Sequence, residues 1–167
     1  MDEQVGREFL RSARARFAEL KALGEKALER MDEGDLRFTP DPESNSVAVI
    51  VQHVAGNMIS RWTDFLTTDG EKTDRNRDGE FVLAEGSTRE KLRALWERGW
   101  QRLFDTVGAL TPADLDRQVV IRGQSLSVVD AIHRQLTHYG QHVGQIVYIA
   151  KTRKWRTWES LSVPKKR

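Results

Sequence analysis

The sequence contains no cysteine. That absence excludes a disulfide framework, thiolate metal ligands and a cysteine nucleophile. Nor does any stretch approach the roughly 18 apolar residues of a membrane-spanning helix, so no membrane partner is expected. The opening residues Met1-Asp2-Glu3-Gln4 lack the basic and apolar segments of a secretory signal, which makes the cytoplasm the expected location. An excess of one charge is missing too. With 27 basic and 25 acidic residues, the net charge of +2 does not argue for a nucleic-acid partner. The basic surplus is confined to the end, where Lys151, Arg153, Lys154, Arg156, Lys165, Lys166 and Arg167 face only Glu159. This reads as a solvated tail, with nucleic-acid or membrane contact as the weaker alternative. Histidine is scarce, at four residues: His53, His133, His138 and His142.

What is present suits a single helix-rich domain over residues 1–167, with 38% hydrophobic and 31% charged residues. Leu10, Ala13, Phe17, Leu20, Gly24, Ala27 and Met31 recur at helical spacing and predict a first helix over 6–31, broken by Gly34, Pro40 and Pro42. Ser44, Asn45 or Ser46 can cap a second helix over 46–66, with Val47, Ile50, Val51, Val54, Met58, Trp62 and Phe65 inward. Its β-branched start imitates a strand, but the period persists through Phe65. A polar connector, 67–86, leads to Ser87-Thr88-Arg89-Glu90, a capping box with Ser87 as the cap of a third helix running to about Leu110. Thr111 to Asp114 predicts a short turn, and Val119 to Leu126 a small β-hairpin around Gly123. Ser127 with Asp130 caps a fourth helix reaching Ala150. Gly140 and Gly144 allow either a close backbone approach or ordinary packing. Four helices of this length imply an all-α four-helix bundle. Twenty connector residues can span its length, so the second and third helices can run parallel. Trp155 and Trp158 are too apolar for a free tail and are expected to pack on the bundle or a second subunit.

His138 and His142 lie four apart on the fourth helix, so one face carries both about one turn apart and both can reach a single ion. A catalytic metal wants three protein ligands and one open position, and His53 from the second helix is the candidate third. Gln135, His138, His142 and Gln145 form a stripe about 100° from the apolar one, at the border of the core. His133 lies about 140° from His138 and about 180° from His142 and reads as a surface residue. The competing reading is three ordinary, hydrogen-bonded histidines. Tyr139 follows His138, so the His-Glu-x-x-His motif of zinc proteases is absent. No carboxylate is adjacent in sequence to the three histidines. The chemistry would then use metal-bound water or a metal-bound substrate atom as nucleophile.

A second metal motif competes. Asp74-Arg75-Asn76-Arg77-Asp78-Gly79, followed by Glu85, fits a calcium-loop pattern. Gly70 and Gly86 interrupt its flanks and two arginines oppose a cation. The preferred reading is a polar crossover held by its own ion pairs.

Four segments carry a family resemblance: Gln52-His53-Val54-Ala55-Gly56-Asn57; Arg75-Asn76-Arg77-Asp78; Thr137 to Ile146, with its His-x3-His and Gln145; and Trp158 to Pro164. Together they resemble an uncharacterised bacterial branch of the DinB/YfiT-like superfamily, over nearly the whole chain. The resemblance implies an up-down-down-up bundle, often a homodimer, with a divalent metal held by His53, His138 and His142. It implies zinc or nickel first, with iron or manganese as alternatives. It also implies that Arg75 to Asp78 is a branch signature. Relatives of that superfamily include thiol S-transferases using bacillithiol, mycothiol or glutathione, a maleylpyruvate isomerase and metal-dependent hydrolases. The expectation is therefore a metal-dependent S-transferase acting on a small-molecule thiol and an electrophile, with Arg75 or Arg77 holding the thiol's carboxylates. A hydrolase or a non-catalytic metal-binding stress or interaction protein is the alternative.

Overall fold

A computed structural model describes residues 2–164; Lys165, Lys166 and Arg167 of the basic tail lie outside the described residues. Most of the described chain is helical. Asp2 starts α1 (Glu3–Glu29) by accepting the N–H groups of Gln4 and Val5, which explains a beginning earlier than residue 6. α2 (Glu33–Arg37) occupies a stretch expected to be broken. Asp32 and Asp35 form a reciprocal capping box there, and it outweighs Gly34. Asp35 is buried and also holds Arg153 at 2.9 Å and Lys154, tying α2 to the far end of the chain.

Ser46 is the cap of α3 (Val47–Trp62). The β-branched start is helical, and nearly every side of α3 is buried. The helix ends four residues before position 66, because Thr63 is extended and Asp64 takes a left-handed φ of 47°. Phe65 stays in the core from the turn that follows. α4 (Arg89–Ala109) begins one residue later than expected: Thr88 accepts the Lys91 N–H, while Ser87 donates to Ala84 instead. Pro112–Asp114 forms a 3-10 turn. β1 (Gln118–Ile121) pairs antiparallel with β2 (Gln124–Ser127). Arg122 and Gly123, at φ 54° and 72°, make the two-residue turn with both central φ positive that matches strand twist. Ser127 then caps α5 (Val128–Arg153).

Contacts along the long helices set their directions. Phe9 meets His133, Phe17 meets Tyr139 and Gly24 approaches Val143, so α1 and α5 run the same way. Gly99 lies against Ala55 and Thr106 bonds the Trp62 carbonyl, so α3 and α4 also run together. Arg14 bonds the Val107 carbonyl while Lys21 pairs with Glu97, so α1 and α4 are antiparallel. One core joins all four, with Trp62, Trp96, Trp100 and Tyr139 among its largest buried side chains. The connector from α3 to α4 lies against the fold. Gly70 donates to Val120, and its carbonyl accepts Ser60 and Arg61.

One expectation is corrected. A Cβ at Gly140 or Gly144 would meet nothing within 4 Å, so these glycines serve neither close approach nor packing among the described residues. Trp158 packs on the core, beneath Arg30, as expected, whereas Trp155 is 68% exposed on this chain and does not pack on its own bundle. No helix among the described residues is long and apolar enough to cross a membrane.

Candidate metal centre

α3 and α5 meet at a buried hydrogen-bonded pair of aromatics. Trp62 donates to the Tyr139 hydroxyl at 3.1 Å, and Tyr139 donates to Asn57 Oδ1 at 3.0 Å. This clamp sets the helix register beside the three histidines. His53 is 5% exposed, and its Nε2 lies 3.3 Å from His138 Nε2. His142 Nε2 lies 3.1 Å from the same atom. One ring nitrogen from each of His53, His138 and His142 falls within 4.8 Å of the others, and together they could hold a metal ion. Bonds of about 2.0–2.1 Å in a tetrahedron place ligand atoms about 3.3–3.4 Å apart, close to the His53–His138 and His138–His142 spacings.

The protonation state fits as well. Burial, then the nearby charges of His142, His53, Arg61 and Arg75, hold His138 down to about 3. Burial also lowers His142, against a smaller opposing effect from Gln145. Neutral imidazole is the ligating form.

Each outward Nδ1 matters because a second hydrogen bond selects which nitrogen faces a metal. His53 Nδ1 lies 2.9 Å from Glu80 Oε2, and His142 Nδ1 lies 2.8 Å from Gln145 Oε1. His138 Nδ1 is buried without a partner. Glu80 was invisible to a search of sequence neighbours because it lies 27 positions from His53, on the 3-10 turn Asp78–Phe81. Gln52 holds that turn through the carbonyls of Gly79, Glu80 and Val82 at 3.2, 3.0 and 2.9 Å. Gly56 supplies the room: a Cβ there would sit 2.3 Å from Glu80 Oε1. Gln52, His53, Gly56 and Asn57 therefore act as one unit, and their shared spacing was the available signal.

Arg75 grips Glu80 with Nε to Oε1 and Nη2 to Oε2, both at 2.7 Å, and reaches Glu71 with Nη1. Glu71 also binds Arg61 at 2.8 Å and Arg122 at 3.1 Å. Burial pushes the Glu80 carboxyl up, but His53 and Arg75 outweigh it and leave the group below its ordinary value. Arg75 is thus occupied inside the fold, which corrects its expected role at a pocket mouth. Arg77 lies over the Phe81 ring at 5.2 Å, and Phe81 packs on His53 with ring centres 4.7 Å apart and planes tilted by 31°.

His133 is exposed, as expected, edge-on to Phe9. The calcium reading fails on geometry. Asn76 Oδ1 accepts the Gly79 N–H, Asp78 points to solvent, and Glu80 turns to His53. Among the described residues the close metal-ligand group contains none of the Asp74–Glu85 carboxylates. The loop is the polar crossover held by ion pairs, with Arg75 at its centre. A separate cleft of about 400 Å³, lined from α1, α2, α3 and α4 by residues including Glu25, Leu36, Val51 and Trp96, touches none of the three histidines.

A family model described as "Protein of unknown function (DUF1572)" matches residues 4–167. No curated protein matches the chain.

Proposed function

The chain belongs to the DUF1572 family, whose description names no activity, and from its site we propose a divalent-metal protein of the thiol S-transferase type. The observation that carries this is the convergence of three imidazoles through Nε2, two of them steered by hydrogen bonds at Nδ1. His53, His138 and His142 would hold the ion, with zinc or nickel the preferred metals and iron or manganese as alternatives. When bound, such an ion supplies a Lewis acid that keeps a coordinated small thiol as its thiolate at neutral pH. Glu80 and Gln145 orient the rings that hold it. Phe81 covers one face of His53 and limits water there. Three arginines, Arg61, Arg75 and Arg122, share the two carboxylates Glu71 and Glu80, and the positive charge left over favours an anionic fourth ligand.

A specific observation favours this over hydrolysis. Metal-water hydrolysis gains from a free general base. Both oxygens of Glu80, the carboxylate that touches His53, are occupied by Arg75, and one also by His53. A thiol needs no such base once coordinated. The helix directions and the spread of the resemblance support an up-down-down-up DinB/YfiT-like bundle. A homodimer located in the cytoplasm completes the reading.

The test uses protein purified without a nickel column. Metal analysis should find about one divalent ion per chain, absent from His138→Ala; an ion retained by that variant refutes the three-histidine site. In the cobalt-loaded protein, a sulfur-to-metal charge-transfer band elicited by bacillithiol, mycothiol or glutathione supports the transferase. Ester or amide turnover without that band replaces it with a hydrolase. An ion with neither behaviour leaves a metal-binding protein.

A further inference from the structure

The stripe Gln135, His138, His142, Gln145 is symmetric: each histidine has a glutamine three residues outward along α5. Residues three apart on a helix are surface neighbours. On the C-terminal side the pair is closed, with Gln145 Oε1 on His142 Nδ1 at 2.8 Å. On the N-terminal side it is open. His138 Nδ1 is buried without a partner, and so is Gln135 Oε1, on a side chain only 3% exposed. Buried polar atoms are nearly always paired, and two unpaired ones on adjacent turns require a reason. Their characters are complementary. With Nε2 given to a cation, Nδ1 of a neutral imidazole must carry the proton and donate, while an amide oxygen can only accept. Helical side chains lean toward the N-terminus, which tilts His138 over the turn that holds Gln135.

We propose that Gln135 is a positioning residue for His138: when the site is loaded, its Oε1 accepts the His138 Nδ1–H and holds Nε2 toward the ion. This rests on the metal reading above. It gives all three rings an outer acceptor, Glu80 for His53, Gln145 for His142 and Gln135 for His138. Two are neutral amides and one is a carboxylate, so the outer partners add a single negative charge, already balanced by Arg75.

The test compares zinc affinity, by competition with a chromophoric chelator, in the wild-type protein, Gln135→Leu and Gln135→Glu. Losing the acceptor should weaken zinc about 10- to 100-fold, the usual cost of removing an outer partner. Gln135→Glu, which keeps an acceptor, should recover most of it. Long-range proton–nitrogen NMR of the zinc-loaded protein supplies a readout that packing alone would not move. The His138 Nδ1–H should be slowly exchanging in the wild type and lost or fast-exchanging in Gln135→Leu. Should the leucine variant fail to fold by circular dichroism, Gln135→Met is measured in its place. Unchanged affinity, or weaker zinc with the Nδ1–H signal intact, overturns the proposal and makes Gln135 a packing residue. A wild-type protein that binds no zinc overturns the metal reading and this inference together.

Discussion

A buried imidazole beside two others is a poor base, and that has a consequence for the ion-free protein. His138 is held down to about 3 and His142 below its ordinary value, chiefly by burial. An unfolded histidine protonates near 6.5. Between those values the unfolded chain binds more protons than the folded one, so stability falls as pH falls from about 6.5 toward 3. Between pH 6.5 and 5 most carboxylates stay ionised in both states, which isolates the histidines. Urea unfolding of metal-free protein should lose at most about 1.4 kcal/mol per pH unit per histidine, less for these rings because they are only partly buried. His138→Gln should flatten the curve. A stability that holds level or rises on acidification across that window contradicts the protonation state assigned to the site.

At the scale of elements, α3 and α4 run side by side because Gly99 lets them. A Cβ there would lie 3.0 Å from the Ala55 Cα and 3.3 Å from the Met58 sulfur. Gly99→Ala gains about 1 kcal/mol of helix propensity but forces apart a packed interface, which costs about 1–3 kcal/mol. The expected outcome is a lower urea midpoint. Gly144→Ala, with open space around it, should instead raise the stability by up to about 1 kcal/mol, and the midpoint with it. If both variants stabilise equally, the close approach of α3 to α4 is wrong. The same contrast shows what periodicity can tell. It left Gly140 and Gly144 open to close approach or to packing, and the structure gives them neither among the described residues, because spacing on one helix carries no information about its neighbour. α2 was missed for a related reason: a capping box tied to Arg153 and Lys154 outweighs the local glycine.

For the whole molecule, the ion would join two helices distant in sequence, so binding should act on global stability. A ligand at 100 times its Kd that binds only the folded state stabilises by about 2.7 kcal/mol. For a chain of 167 residues this corresponds to a rise of about 5–11 °C in Tm. Differential scanning calorimetry with and without zinc should show that rise in the wild type and none in His138→Ala. Equal shifts in both would mean that the ion acts elsewhere. Because α3 and α4 run together, the connector must travel the length of the fold, and it carries Glu80 and Arg75 past His53 on the way.

From residue order alone came the long helices, the caps of α3 and α5, the hairpin turn and the three histidines. These are local periodicities and spacings, and side-chain geometry on a helix follows from them directly. Only the tertiary structure decided that Glu80 serves His53, that Arg75 is spent on Glu80, and that the Asp74–Glu85 loop faces the histidines with one carboxylate instead of gathering its own. Those pairings join segments with no regular spacing between them, and the energy of a buried ion pair depends on what surrounds it, which the chain settles only once it has folded.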